Sequence, residues 1–171
     1  MPSEDLIITA DTAAKKMQRM AYEIAEHNIG EKEILLAGIK VNGLIIAAKI
    51  KEYLEKIFEG DIEVLEINLD KKDPKKINIP GNYDFNGKVI IIADDVANTG
   101  KTLSYAVKPF LDFYPKKIQT LVLVERSHRE FPVSPDYVGL TVSTGIDEKI
   151  IVETKEKDVT GARLETNVVK K

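Results

Sequence analysis

Apolar positions along this chain fall into two kinds: short unbroken runs, and stripes spaced by three or four residues. The runs Ile34–Ile39, Val89–Ala93 and Ile118–Val124 are far too short to cross a membrane. Their mainly apolar character, broken in the last run by Gln119 and Thr120, fits strands of a parallel sheet covered on both faces. Ile62, Val64 and Ile67 mark another strand. Between these runs, Ala14, Met17, Ala21, Ile24 and Ala25 recur at helical spacing, with Asp11 or Thr12 as cap. Ile46, Ile50, Leu54 and Ile57 predict a second helix from about Leu44 to Phe58. Leu103, Ala106, Val107, Phe110 and Leu111 predict a third, ended by Pro115. Alternating strands and helices predict an α/β fold: a mostly parallel sheet with helices on both faces.

The remainder is less patterned. Ser3 to Thr9 reads as a short lead-in, and residues 126–148, with Pro132 and Pro135, as a small irregular hood. Lys149–Val152 reads as a short returning strand. On this basis residues 1–152 form one domain, and the charged, aperiodic residues 153–171 a poorly ordered tail.

Composition narrows the class. A chain of 171 residues with 43% hydrophobic and 31% charged residues can bury a proper single core. It has no cysteine, which removes disulfide frameworks and thiolate metal sites. The start, Met1-Pro2-Ser3-Glu4-Asp5, has neither a basic region nor a signal core, so cytoplasm is expected and no membrane partner. Net charge is −3, and the arginines are Arg19, Arg126, Arg129 and Arg163. That balance argues against a large nucleic-acid surface and leaves a local lysine patch open.

The candidate chemistry lies where the run Val89–Ala93 stops at Asp94 and Asp95. Open α/β sheets place ligands at the carboxyl ends of their strands. Neighbouring strand residues face opposite ways, so these two carboxylates need not share one job. The turn Asn98-Thr99-Gly100-Lys101-Thr102 offers backbone N–H groups, two hydroxyls and a helix start, which together suit a phosphate. Vicinal ribose hydroxyls on the carboxylates and a 5′-phosphate in the turn would fill such a site. Neither of the common phosphate-binding glycine motifs occurs elsewhere in the chain.

The complete string of hydrophobic strand, two acids and Thr-Gly-x-Thr resembles the 5-phosphoribosyl-1-pyrophosphate (PRPP) signature of type I phosphoribosyltransferases. The resemblance covers about Asp11 to Val152. It implies ribose contacts from Asp94 and Asp95, with Asp95 favouring a cationic transition state. It also implies a 5′-phosphate cradle of Val96, Ala97, Asn98, Thr99, Gly100, Lys101 and Thr102. The stretch Gly38-Ile39-Lys40-Val41-Asn42-Gly43 is similar to the family's pyrophosphate loop, which assigns that role to Ile39, Lys40, Val41, Asn42 and Gly43. Val41 and Asn42 stand where pyrimidine members carry Thr-Arg, so a bidentate guanidinium is replaced.

Leu69-Asp70-Lys71-Lys72-Asp73-Pro74-Lys75-Lys76 falls in the family's mobile flap, and any of Lys71, Lys72, Lys75 or Lys76 could supply its cation. The stretch from Glu125 to Gly139 resembles the His-Arg-Glu-Leu-Pro-Ile…Asp-Tyr-Val-Gly segment of bifunctional pyrimidine-operon attenuation regulators with uracil phosphoribosyltransferase activity. It implies a base pocket lined by Arg126, Asp136, Tyr137, Val138 and Gly139. His128 reads as a loop tether rather than a base. Asn98 stands where purine-salvage relatives place Asp, which disfavours a 6-oxopurine.

The resemblance therefore implies transfer of ribose 5-phosphate from PRPP to a nucleobase, uracil foremost, with Mg²⁺ accompanying the donor and a homodimer as the assembly. Two alternatives stay open: a PRPP- or nucleotide-sensing regulator that binds messenger RNA, and the same fold acting on another base.

Overall fold

A computed structural model describes residues 5–166. The chain runs β1 (Asp5–Thr9), α1 (Ala10–His27), β2 (Glu33–Ile39), α2 (Asn42–Leu54), β3 (Asp61–Leu69) and β4 (Ile77–Asn78). It continues through β5 (Val89–Ala97), α3 (Lys101–Val107), a 3-10 turn (Lys108–Asp112), β6 (Lys117–Arg126) and β7 (Tyr137–Val142). A hairpin of β8 (Glu148–Lys155) and β9 (Asp158–Thr166) ends the described residues.

Six strands form the main sheet in the order β4-β3-β2-β5-β6-β7. All neighbours are parallel except the two-residue β4, which runs antiparallel on β3. The apolar runs lie at its centre: Ile90, Ile91 and Ile92 are fully buried, as are Val122, Leu123 and Val124. One face packs under α1 and α2 through Met17, Met20, Ile24, Ile46 and Ile50. The other packs under α3 and the following turn through Leu103, Ala106, Phe110 and Phe85. The expected α/β architecture with helices on both faces is the observed one.

Sheet order matters for function. From β2 the chain moves outward to β3, then returns past β2 to β5 and proceeds the other way. Loops leaving the carboxyl ends of β2 and β5 therefore diverge, and such a switch of direction opens a crevice between them.

Four expectations need correction. The helix cap is Thr9, whose Oγ1 accepts from the Thr12 N–H at 3.1 Å, because the helix starts one turn earlier than the stripe indicates. The lead-in is a strand: β1 pairs antiparallel with β9. Residues 153–166 are no tail, since they complete β8 and form β9, while the end of the expected tail, 167–171, lies outside the described residues. The three-stranded sheet β1-β9-β8 is built on alternation: Ile150 and Val152 on β8, and Val159 on β9, point into the core between exposed charges. The stretch 126–148 is not irregular throughout either, since β7 within it joins the main sheet parallel to β6.

Candidate active site

Two strand-to-helix junctions meet at the switch between β2 and β5. After β2, the chain must turn tightly into α2, and Gly43 lies so close to β5 that a Cβ there would collide with the Ala93 carbonyl. This approach sets the start of α2 against Asp94. At the end of β5, Asp94 is 2% exposed and Asp95 is largely buried. Each carboxylate folds back on the next amide: the Asp95 N–H donates to Asp94 Oδ1 and the Val96 N–H to Asp95 Oδ1, both at 2.8 Å.

The other oxygens differ. Asp95 Oδ2 accepts from Asn42 Nδ2 at 3.0 Å. Asp94 Oδ2 is the buried side-chain oxygen without a hydrogen-bond partner among the described residues. Leaving a buried acceptor unmet costs on the order of 1–3 kcal/mol, so such an atom needs a reason. Burial first, and then the charge of Asp95, push the Asp94 carboxyl up from 3.8 to about 8. Burial also opposes ionisation of Asp95, yet Lys71 and hydrogen bonds from Asp94, Asn42 and Val96 outweigh it and hold Asp95 below the usual carboxylate range. One proton thus sits preferentially on Asp94, and the pair divides into a neutral member and an anionic one.

Lys71 faces both acids, with Nζ 3.4 Å from Asp94 Oδ1 and 3.6 Å from Asp95 Oδ1. Of the four flap lysines, it is the one that reaches them; Lys76 pairs with Asp73 instead. Asn42 does more than meet Asp95: it also donates to the Val152 carbonyl at 3.1 Å, and Thr154 Oγ1 donates to its Oδ1 at 3.1 Å. Strand β8 is thereby tied to the carboxylate pair. Sequence reasoning missed Val152 and Thr154, although the alternation of Ile150, Val152 and Thr154 could have placed them on one face.

Beside the acids lies a cavity of about 260 Å³, lined by Lys71 and residues 96–103. The Asn98–Thr102 turn forms its wall. Gly100 has φ +85°, a left-handed conformation that favours glycine, where it turns the chain into α3. The Thr99 carbonyl accepts from the Glu130 and Phe131 N–H groups at 2.9 Å, which pins the turn from outside. A larger hollow, about 610 Å³, lies at the opposite end of the sheet near Ile29 and Phe58. It holds no orphaned buried side-chain atom among the described residues, so size does not locate the chemistry here.

In the expected pyrophosphate loop, Ile39 is buried and the Lys40 N–H is already spent on the Ile67 carbonyl at 3.0 Å. That amide is not available to a ligand, which corrects part of the expected cradle. The Lys40 side chain is exposed, 3.5 Å from Glu66. The Lys40–Val41 peptide is cis, and Val41 projects outward.

The expected base pocket divides. Arg126 holds the following loop: Nε donates to Thr144 Oγ1 at 2.6 Å and Nη2 to the Gly145 carbonyl at 2.9 Å. Nη1 reaches Asn98 Oδ1 at 3.5 Å, linking this loop to the Asn98–Thr102 turn. His128 Nε2 meets the Thr144 carbonyl at 2.9 Å, the tethering role its context suggests.

Asp136 and Tyr137 are elsewhere. Tyr137 pairs with Leu121 and Val142 with Arg126, so Tyr137 sits five residues, about 17 Å, down the sheet from Arg126. Asp136 Oδ2 accepts from the Thr120 N–H at 2.8 Å. The Tyr137 hydroxyl donates to Gln119 Oε1 at 2.8 Å, and burial pushes its pKa up to about 12. The Val138 and Gly139 carbonyls accept from Arg19 at 3.0 and 2.9 Å. These four residues anchor edge strand β7 to its neighbours, and the structure does not bring them to the Arg126 loop.

Residues 7–158 match the family described as the phosphoribosyl transferase domain, and the chain belongs to that family. It is 38% identical over 167 residues to the bifunctional protein pyrR of Enterococcus faecalis OG1RF, covering 92% of this chain and 93% of that protein. It is 36% identical over 157 residues to the pyrimidine operon regulatory protein of Lactococcus lactis IL1403, covering 89% and 91%. Among solved structures, the hypoxanthine phosphoribosyltransferase of Trypanosoma cruzi superposes with TM-score 0.77 at 17% identity, covering 95% and 98%, which shows the shared fold. No helix among the described residues is long and apolar enough to cross a membrane.

Proposed function

We propose that this protein transfers ribose 5-phosphate from PRPP to a nucleobase, with uracil as the preferred base, and releases pyrophosphate. The observation that carries the reading is the buried Asp94–Asp95 pair, with one orphaned oxygen, directly followed by residues 96–103, which line a cavity together with the Lys71 that contacts both acids. A sugar with two adjacent hydroxyls donates one hydrogen bond to each carboxylate and meets Asp94 Oδ2. The 5′-phosphate then falls in the turn Asn98–Thr102, whose hydroxyls and backbone N–H groups suit an anion, the Lys101 N–H excepted, which donates to Thr99 Oγ1 at 3.3 Å.

In the reaction, the C1–oxygen bond to pyrophosphate breaks and a bond from C1 to the base nitrogen forms, while the base loses its proton. Positive charge develops on the ribose ring, and the anionic Asp95 lies where it lowers that cost. Lys40, at the junction after β2, supplies charge for the departing pyrophosphate. The chain's contribution is mainly position and electrostatics.

The donor set fits a hard divalent ion: the ligand atoms on offer are carboxylate oxygens. Among the described residues no group of three or more His, Cys, Asp or Glu side chains converges, so Mg²⁺ would come with the donor's own oxygens. When bound, it neutralises pyrophosphate charge. Asn98 and Arg126, whose side chains meet at 3.5 Å, are the groups assigned here to the base. Asn98 cannot take up a proton at neutral pH, which supports a pyrimidine over a 6-oxopurine.

Incubation with PRPP, Mg²⁺ and labelled uracil should yield uridine monophosphate. A panel of bases that gives no nucleotide, despite PRPP binding, removes the transferase reading. A second reading is favoured by the relatives' names, bifunctional and pyrimidine operon regulatory: the same pocket senses PRPP or nucleotide and governs binding to pyrimidine messenger RNA. RNA affinity that falls steeply with salt supports it, and no binding at low salt eliminates it.

A further inference from the structure

Asn42 is the first residue of α2, half-buried between the carboxylate pair and strand β8. Its place in the loop after β2 would suit contact with a leaving pyrophosphate, yet its hydrogen bonds run elsewhere. A primary amide has two N–H donors and one carbonyl acceptor. Nδ2 donates to Asp95 Oδ2 at 3.0 Å and to the Val152 carbonyl at 3.1 Å. Oδ1 accepts from Thr154 Oγ1 at 3.1 Å. Both donors are spent, so none is left for an anion. The effect on Asp95 is geometric. The Val96 N–H holds Oδ1 at 2.8 Å and Asn42 holds Oδ2, so fixed donors on both oxygens set the plane of the carboxylate. The amide is supported in turn by Val152 and Thr154, and by Gly43, whose missing side chain lets α2 touch β5. An acid held in this way is oriented before any donor arrives.

From this arrangement we infer that Asn42 is a positioning residue for Asp95 and makes no contact with the leaving pyrophosphate, with Thr154 as its support from β8. Resting on the proposed PRPP reading, this role divides the loop after β2: Lys40 serves the leaving group and Asn42 serves the acid. Asn42 then acts on the step in which charge develops on the ribose, not on how tightly the donor is held. The two roles leave different kinetic signatures. Losing an interaction made only in the transition state lowers kcat and spares KM, whereas losing a contact shared by the bound donor raises KM.

Steady-state kinetics on the full chain, with PRPP, Mg²⁺ and the base that the wild type accepts, tests this. Asn42→Ala, which keeps a good helix former at the start of α2, should lower kcat at least about ten-fold, as for one hydrogen bond to a charged group. Its KM for PRPP should stay within about two-fold of wild type. Asn42→Asp keeps the shape, removes both N–H donors and sets a carboxylate against Asp95, so it should lose at least as much. Thr154→Val should lower kcat about three-fold alone and have no further effect beside Asn42→Ala. Inhibition by inorganic pyrophosphate should be unchanged in these variants and weakened in Lys40→Gln. A raised KM for PRPP, or weakened pyrophosphate inhibition, in Asn42→Ala returns Asn42 to the leaving group and overturns the inference. A lowered melting temperature with unchanged kcat also overturns it, because Asn42 is then a support for β8 alone. Should Asn42→Ala fail to fold, Asn42→Asp and Thr154→Val carry the same comparison. Each of these outcomes leaves the PRPP reading intact; a wild type that yields no nucleotide from any base removes both.

Discussion

The two ends of the main sheet handle buried polar groups in opposite ways. At the amino end, Asn28 donates to the Ile24 carbonyl and accepts from Lys117. There too the Tyr137 hydroxyl reaches Gln119 and lies near His27, while Asp136 takes the Thr120 N–H. At the carboxyl end, Asp94 is as buried as Asn28 and keeps an oxygen with no partner. Satisfied polar groups add stability and specify packing; an unsatisfied one costs stability and is kept where a ligand meets it. The contrast separates edge-anchoring residues from site residues that carry the same side-chain chemistry.

The largest effect expected from breaking this contrast is at the carboxyl end. Replacing both Asp94 and Asp95 with Asn should cut turnover by about 10²–10³, as for loss of preorganised electrostatic groups, without unfolding the protein. Steady-state kinetics beside thermal melting checks both halves, and full activity in the double variant would end the site assignment.

A second test reads the Asp94 proton. Its carboxyl is raised in the folded state to about 8, above the unfolded value near 3.8. Between those values the folded protein holds more protons than the unfolded chain, so stability falls as pH rises from about 4 to 8. Asp95, shifted downward, acts below that window and adds stability above it. The melting temperature of Asp94→Asn should therefore pull ahead of wild type progressively as pH rises from 5 to 8. A constant difference would show that Asp94 does not titrate there.

Gly43→Ala should cost about 1–3 kcal/mol in urea unfolding, because the new methyl meets the Ala93 carbonyl where β5 and α2 touch. The smallest effect belongs to the amino end. Tyr137→Phe should lose about 1 kcal/mol of stability, for one neutral hydrogen bond, and leave the KM for the base unchanged. A several-fold rise in that KM with normal stability would erase the distinction between the two ends.

How much of this was legible from residues alone follows the same division. The parallel core was plain, because Val89–Ala93 and Leu121–Val124 are apolar throughout, as suits a doubly covered strand. The Asp94–Thr102 segment was legible because strand, acids and glycine turn are contiguous. Lys71 was not separable from Lys72, Lys75 and Lys76, since the choice depends on how β3 ends and where the flap falls. The first half of β8 was read from Lys149–Val152, but its extension and its partner β9 were hidden by charge, with Glu153, Lys155 and Asp158 around the inward Val152 and Val159. Asp136 and Tyr137 were misplaced because a sequence segment does not state which end of a strand it occupies. Register against β6 decides that.

Asn42 gives the molecule a mechanical property as well as a chemical one. Its single amide clasps Asp95, the Val152 carbonyl and Thr154 together, so a shift of the β8–β9 hairpin that draws Asn42 with it loosens a hydrogen bond that keeps Asp95 ionised. Motion far out on that hairpin is therefore felt as a change in acidity at the centre.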